Sequence, residues 1–154
     1  MTQITYLTGD ATRPTRTPAI IAHICNNRGG WGAGFSGALS RRWNGAEQVY
    51  RQSFRFGNPR LGSSQTVWVT KSILVVNMIA QNGYSKPGKP AIDYPALAVC
   101  LSDLAAVAKP YNMPVHMPRI GTGLAGGDWT VIEPLIVAEL CEKGVEVYVY
   151  DLER

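Results

Sequence analysis

Two glycine-dense stretches hold the residues best suited to chemistry in this chain of 154 residues. The first runs Asn26-Asn27-Arg28-Gly29-Gly30-Trp31-Gly32-Ala33-Gly34, the second Gly121-Thr122-Gly123-Leu124-Ala125-Gly126-Gly127. Each follows an apolar run of strand length and precedes a helical pattern. Glycines at the carboxyl end of a strand let backbone N–H groups approach phosphate oxygens with no Cβ in the way. The start of the next helix adds unpaired donors and partial positive charge. The chemistry on offer is anion binding by main chain. Glycines also mark plain tight turns, but two such loops in one strand–loop–helix setting favour the binding reading. Beside the first loop stand His23, whose ordinary pKa of about 6.5 suits proton transfer, and Asn26, whose amide both donates and accepts. His23 has a second reading, as a buried ring supporting the loop. Asp128, just past the second loop, would orient water or cap the next helix.

Those loops need a scaffold, and the composition supplies one. Apolar residues make up 45% of the chain and charged ones 17%, the balance of a globular domain. The length suits one domain, 1–154, with no repeat or linker. No apolar run approaches a membrane span, and the first residues lack the pattern of an export signal. Cys25, Cys100 and Cys141 are odd in number and at no metal-ligand spacing, which suggests reduced thiols and a cytoplasmic setting with neither metal nor cofactor. Residues 1–89 carry eleven Lys/Arg against two acids, whereas residues 90–154 carry four against nine. So basic a first half favours an anionic ligand or partner, although an unevenly charged surface is the plainer account.

The pattern predicts strands at Ile4–Thr8, Ala19–Cys25, Thr66–Thr70, Ile73–Gln81, Pro114–Ile120 and Val145–Asp151. Helices are expected over Phe35–Trp43, Ala46–Phe56, Tyr94–Lys109 and from an N-cap at Asp128 to about Lys143, with Gly144 as the C′ glycine. Such alternation argues a sheet flanked by helices. Gly121, Gly123 and Gly126 match the dinucleotide fingerprint G-x-G-x-x-G, but that motif opens a domain and little chain follows here, so the match is accidental.

Taken in order, Gly9-Asp10, the Ala22-His23-Ile24-Cys25-Asn26 strand end, the Trp31-Gly32-Ala33-Gly34 turn, Pro118-Arg119-Ile120-Gly121-Thr122-Gly123-Leu124 and Asp128-Trp129 resemble a macrodomain over nearly the whole chain. The branch most similar holds ADP-ribose 1″-phosphate phosphatases and terminal ADP-ribose protein glycohydrolases. The resemblance implies an α/β fold: a three-layer α/β/α sandwich with a central mixed sheet. It implies ADP-ribose or an ADP-ribosyl derivative as ligand, with ADP-ribosylated protein or nucleic acid as further partners and no membrane.

By the same resemblance, Asp10 accepts a hydrogen bond from the adenine 6-amino group, and Ala11 is a further ligand-binding residue. Asn26 sits near the distal ribose. Gly32, Ala33 and Gly34 present N–H groups toward that ribose and its phosphate, Gly121, Thr122, Gly123, Leu124, Ala125 and Gly126 do so toward the diphosphate, and Trp31 and Ile120 join the ligand-binding residues. Trp31 and Tyr84 either cover the ligand or pack at the rim. Two hydrolase patterns of the family lose their key groups here. The aspartate two residues past the first glycine run is Ser36, the lysine after the middle strand is Ala80 or Gln81, and its partner aspartate is Ala125. What remains is the phosphatase pattern, with His23, Asn26 and Asp128 as candidate catalytic residues. The expected function is hydrolysis of ADP-ribose 1″-phosphate or a related ADP-ribosyl ester; the alternative is a non-catalytic reader of ADP-ribose.

Overall fold

The structure is a computed structural model that describes residues 3–153. Six strands form one sheet: β1 (Ile4–Thr8), β2 (Ala19–Asn26), β3 (Ser64–Trp68), β4 (Ile73–Gln81), β5 (Val115–Pro118) and β6 (Val147–Asp151). Their spatial order is β1-β6-β5-β2-β4-β3, and every pairing is parallel except β3 with β4. Four helices flank it: α1 (Phe35–Arg42), α2 (Gly45–Gln52), α3 (Tyr94–Ala108) and α4 (Trp129–Glu139). This is the expected α/β sandwich with a mixed central sheet.

Side-chain alternation divides the core. Along β2, Ile20 and Ala22 face α3 and α4, where they join Leu97, Leu101, Leu104, Ile132 and Ile136. Ile21 faces the other way, with Leu39, Ala46, Ile73 and Val75 beneath α1 and α2. Strands β2 and β4 are buried on both faces, which is why they appear as unbroken apolar runs. No described helix is long and apolar enough to cross a membrane.

Several boundaries differ from expectation. Helix α2 stops at Gln52 rather than Phe56, where the Ser53 hydroxyl donates to the Tyr50 carbonyl at 2.5 Å. Helix α4 ends at Glu139 and passes through a 3₁₀ turn, Cys141–Lys143, before Gly144 at φ 87° reverses the chain. Strand β5 is four residues, because the chain turns at Arg119 and Ile120 into the second glycine loop.

Topology creates the site. Strands β2 and β5 are parallel neighbours, yet β2 leads to α1 on one face and β5 leads to α4 on the other. Their following loops diverge and leave a crevice at the carboxyl edge, the usual ligand position in an open α/β sheet. Because β1, β4 and β6 run the same way, their final residues open on that edge too.

Candidate functional site

A cleft of about 1080 Å³ occupies that edge. Its lining takes in Asp10, Ala11, His23, Asn26, Trp31, Ala33 and Gly34 from the first part of the chain. From the second loop come Ile120, Gly121, Thr122, Gly123, Leu124 and Ala125. The structure therefore gathers most of the residues singled out by sequence. Gly32, Gly126 and Asp128 are not part of the lining. The Gly32 N–H is held by the Ser36 hydroxyl at 2.8 Å, and the Gly126 N–H by the Gly123 carbonyl at 3.0 Å.

The first loop is organised by Asn26. Its Oδ1 accepts from the N–H groups of Arg28 (2.9 Å) and Gly30 (3.1 Å), while its Nδ2 donates to the Gly30 carbonyl at 2.8 Å. The Tyr50 hydroxyl, on α2, donates toward Asn26 and accepts from the Gly29 N–H at 3.1 Å. Burial pushes the Tyr50 phenol up, so the hydroxyl keeps its proton. The amide expected near a sugar is thus mainly spent on loop shape. Beyond it, α1 begins at Gly34 with no side-chain cap. The N–H groups of Ala33 and Gly34 donate to nothing among the described residues, and the first amides of α1 lie beside them without intrahelical partners.

In the second loop, the Gly127 N–H closes a turn on the Gly121 carbonyl at 2.7 Å. That leaves the N–H groups of Gly123, Leu124 and Ala125 without an acceptor among the described residues. Gly121 adopts φ 76°, and a Cβ there would meet Ile132 at 2.9 Å. Gly123 needs neither a left-handed backbone nor space, since nothing lies within 4 Å of its would-be Cβ.

His23 is 2% exposed, edge-on to Trp31 with centroids 5.3 Å apart and 5.7 Å from Phe35. Its Nε2 lies 2.6 Å from the Asn77 Oδ1. Asn77 donates through Nδ2 to the Ala46 carbonyl and to Gln65, so its Oδ1 accepts and His23 carries the proton on Nε2. Burial lowers the His23 pKa to about 4. Such a ring stays neutral near pH 7 and so has no proton to spare as a general acid; it lines the cleft and packs against Trp31 and Phe35. Asp128 likewise accepts from the Thr130 N–H (2.9 Å) and hydroxyl (2.7 Å), which holds its carboxyl below the usual range and makes it the N-cap of α4. Its place outside the cleft lining favours the capping reading of the two that the sequence offered.

At the opposite end of the cleft, Asp10 folds into an Asx turn. Its Oδ1 accepts from the Thr12 N–H (2.8 Å) and hydroxyl (2.7 Å), and Oδ2 faces Arg13 at 4.0 Å. One carboxylate oxygen therefore retains capacity to accept from a ligand. His116 lies in the core, stacked on Tyr148 and bonded through Nδ1 to the Tyr150 hydroxyl at 2.7 Å.

A third wall includes Tyr84, expected over the ligand or at the rim, and Ser85, which was not expected. The segment 82–92 after β4 ties the two loops together: Ser85 donates to the Leu124 carbonyl at 2.6 Å, and the Ala125 carbonyl accepts from Ala91 and Ile92. Tyr84 crosses to the first loop, close enough that a Cβ on Gly30 would clash with its hydroxyl at 2.5 Å. The signal available in the sequence was the parallel order itself, which puts the end of β4 beside the glycine loops. Among the described residues no group of His, Cys, Asp and Glu could hold a metal ion.

This geometry, a mixed six-stranded sheet with a two-loop cleft at its carboxyl edge, has counterparts among known proteins. A macrodomain protein from Streptomyces coelicolor is 42% identical, aligns with 97% of this chain and 99% of its own, and superposes with a TM-score of 0.85. The chain belongs to the macrodomain family. It is also similar to an ADP-ribose 1″-phosphate phosphatase from Lodderomyces elongisporus, 25% identical over 96% of this chain and 99% of that protein. Chromodomain-helicase-DNA-binding protein 1-like from Mus musculus is 28% identical over 99% of this chain, which spans only 18% of that protein. The fold is shared with Thermosipho africanus DarTG in complex with ADP-ribose (14% identity, TM-score 0.77, 99% of this chain and 42% of that one). No family model matches the sequence.

Proposed function

We propose that the chain binds ADP-ribose or an ADP-ribosyl derivative in this cleft and hydrolyses ADP-ribose 1″-phosphate or a related ADP-ribosyl ester. The observation that carries the reading is the pair of glycine loops facing one space with unpartnered N–H groups on both sides. A diphosphate offers acceptors to both at once. Asp10 then meets the adenine at one end, and the first loop meets the distal ribose at the other. DarTG, which shares this fold, is seen with ADP-ribose, and the similar Lodderomyces enzyme is named for the 1″-phosphate.

Catalysis under this reading comes from position and main-chain donors. No side chain nominated for proton transfer is free to titrate near neutrality: His23 is neutral and buried, and Asp128 is a helix cap. That restricts the ester to one with an acidic leaving group. Water adds at C1″, the C1″–O bond breaks, and a phosphate or carboxylate leaves as an anion. The proton from water passes to solvent. A leaving group that is stable as an anion does not require a strong general acid.

The same observation about His23, Asn26 and Asp128 favours a second reading, a non-catalytic reader of ADP-ribose. A product assay on ADP-ribose 1″-phosphate and on protein esterified at Glu or Asp, run side by side, decides between them. Release of ADP-ribose from either supports the hydrolase. ADP-ribose binding without turnover of either supports the reader.

A further inference from the structure

The cleft does not end at the first loop. Its lining continues past Gly34 along α1, through Phe35, Ser36, Ala38 and Arg41. Gly34, Ala38 and Arg41 stand at i, i+4 and i+7, so they share one side of the helix. The Arg41 side chain folds back along it: Nη1 lies 3.6 Å from where a Cβ on Gly37 would stand. The Gly32 carbonyl closes over the same point so tightly that such a Cβ would strike it. The guanidinium is thus carried over the first turn of α1, against the first glycine loop. Ser36 offers less there, since its hydroxyl already accepts from the Gly32 N–H and donates to the Ala33 carbonyl.

Among the described residues, two cations line the cleft, and they differ. Arg119 is committed to Asp151 through two hydrogen bonds, 2.6 and 3.0 Å long. Arg41 takes part in no ion pair among the described residues. Its neighbour Arg42 lies over the Trp43 ring, and Glu47, the acid nearest in sequence, is held by Arg51 and Ser40. Asp10, the carboxylate in the lining, stands at the opposite end.

We propose that Arg41 binds the leaving group, the anionic oxygens of a phosphate or carboxylate departing from C1″ of the distal ribose. The proposal deepens the function proposed above and rests on its placing of that ribose at the first loop. As water bonds to C1″, the C1″–O bond breaks, its electron pair stays on the departing oxygen, and the proton of water goes to solvent. The guanidinium, charged at every working pH, stabilises the anion so formed. It supplies by charge what the neutral His23 does not supply as an acid. The two leaving groups differ in when they carry charge. A 1″-phosphate is anionic before the bond breaks, so Arg41 holds it in the ground state. A carboxylic ester is neutral until the bond breaks, so Arg41 acts on it only as it leaves.

The test compares wild type, Arg41→Gln, Arg41→Lys and Arg42→Gln. Steady-state kinetics are measured on ADP-ribose 1″-phosphate and on protein esterified at Glu, and calorimetry on both ADP-ribose and the 1″-phosphate. Arg41→Gln raises KM for the 1″-phosphate about tenfold or more. On the ester it lowers kcat about tenfold or more with KM nearly unchanged. Free ADP-ribose, which carries only a hydroxyl at C1″, binds within about twofold of wild type, and Arg41→Lys recovers part of each loss. Arg42→Gln, an equal loss of charge one residue away, leaves every value within about twofold. A change on one substrate alone identifies which leaving group Arg41 meets. Unchanged kinetics on both substrates in Arg41→Gln overturn the proposal, as does a parallel fall in ADP-ribose affinity and melting temperature. If the wild type turns over neither substrate, hydrolysis as proposed above fails and calorimetry decides this inference alone. A 1″-phosphate bound more tightly than ADP-ribose, with Arg41→Gln erasing the difference, upholds it; equal affinities in the wild type overturn it.

Discussion

Replacing Gly123 by valine separates ligand binding from folding, because the structure gives the new side chain no protein atom to strike. Nothing lies within 4 Å of a Cβ at Gly123, and its φ is outside the left-handed region. Folding stability should change by less than about 0.5 kcal/mol, as for a surface position. The ligand is affected differently. The isopropyl group would project at the lining of the cleft, beside the free N–H groups of Gly123, Leu124 and Ala125. Keeping a diphosphate from one or two of those donors removes charge-assisted hydrogen bonds worth about 1.5–3 kcal/mol each. ADP-ribose affinity should therefore fall between roughly tenfold and ten-thousandfold. Adenosine, which lacks the phosphates, should bind the variant as weakly as it binds the wild type. Calorimetry with both ligands and a thermal melt make the comparison. Gly121→Ala is the contrasting control: φ 76° and a contact at 2.9 Å to Ile132 predict loss of stability together with affinity. An unchanged ADP-ribose affinity in a folded Gly123→Val protein would refute the assignment of the diphosphate to this loop.

Asp10→Asn keeps an acceptor for Thr12 but presents an N–H where Oδ2 stood, so ADP-ribose should bind about tenfold or more weakly; equal affinity would mean that the adenine amino group lies elsewhere. His23→Ala should lower the melting temperature and ADP-ribose affinity together, since it removes the Asn77 bond and the support under Trp31; a folded, fully stable variant with intact affinity but no turnover would restore a catalytic role. The pKa values of His23 and His116, each lowered to about 4 by burial, make stability depend on pH. The unfolded chain takes up protons below about 6.5 while the folded one resists until about 4, so this stability is complete above 6.5 and is lost as pH falls through that window. Chemical denaturation between pH 7 and 4 should show the midpoint falling, and a flat profile would contradict the burial of both rings.

Regular elements were legible where one physical signal dominated. Strand β4, Ile73–Gln81, is apolar enough on both faces to be delimited to the residue, and Asp128 was readable as a cap because an Asx side chain before an apolar helix has few other uses. The glycine loops were visible as anion cradles, but their internal order was not. Asn26 is shaped by Tyr50, and His23 is fixed by Asn77, whose nearest sequence separation is 24 and 54 residues respectively. Periodicity carries no information over such distances; these contacts exist only because β2, β4 and α2 pack together. Hence the sequence could not show that His23, while lining the cleft, is nearly buried and bonded to Asn77. Tyr84 was readable as a ligand cover or rim residue, but its contact with Gly30 and the bond from Ser85 to Leu124 were hidden for the same reason, as those partners lie in two separate loops.

The central claim is that one ADP-ribose spans the cleft with its diphosphate between the two glycine loops, and a crystal structure of the complex measures that directly. The account predicts diphosphate oxygens within about 3 Å of the amide nitrogens of Gly123, Leu124 or Ala125 on one side and of Ala33 or Gly34 on the other. It also predicts the adenine amino group on the Asp10 carboxylate. A diphosphate bound away from both loops, or a cleft left empty by saturating ADP-ribose, would contradict it.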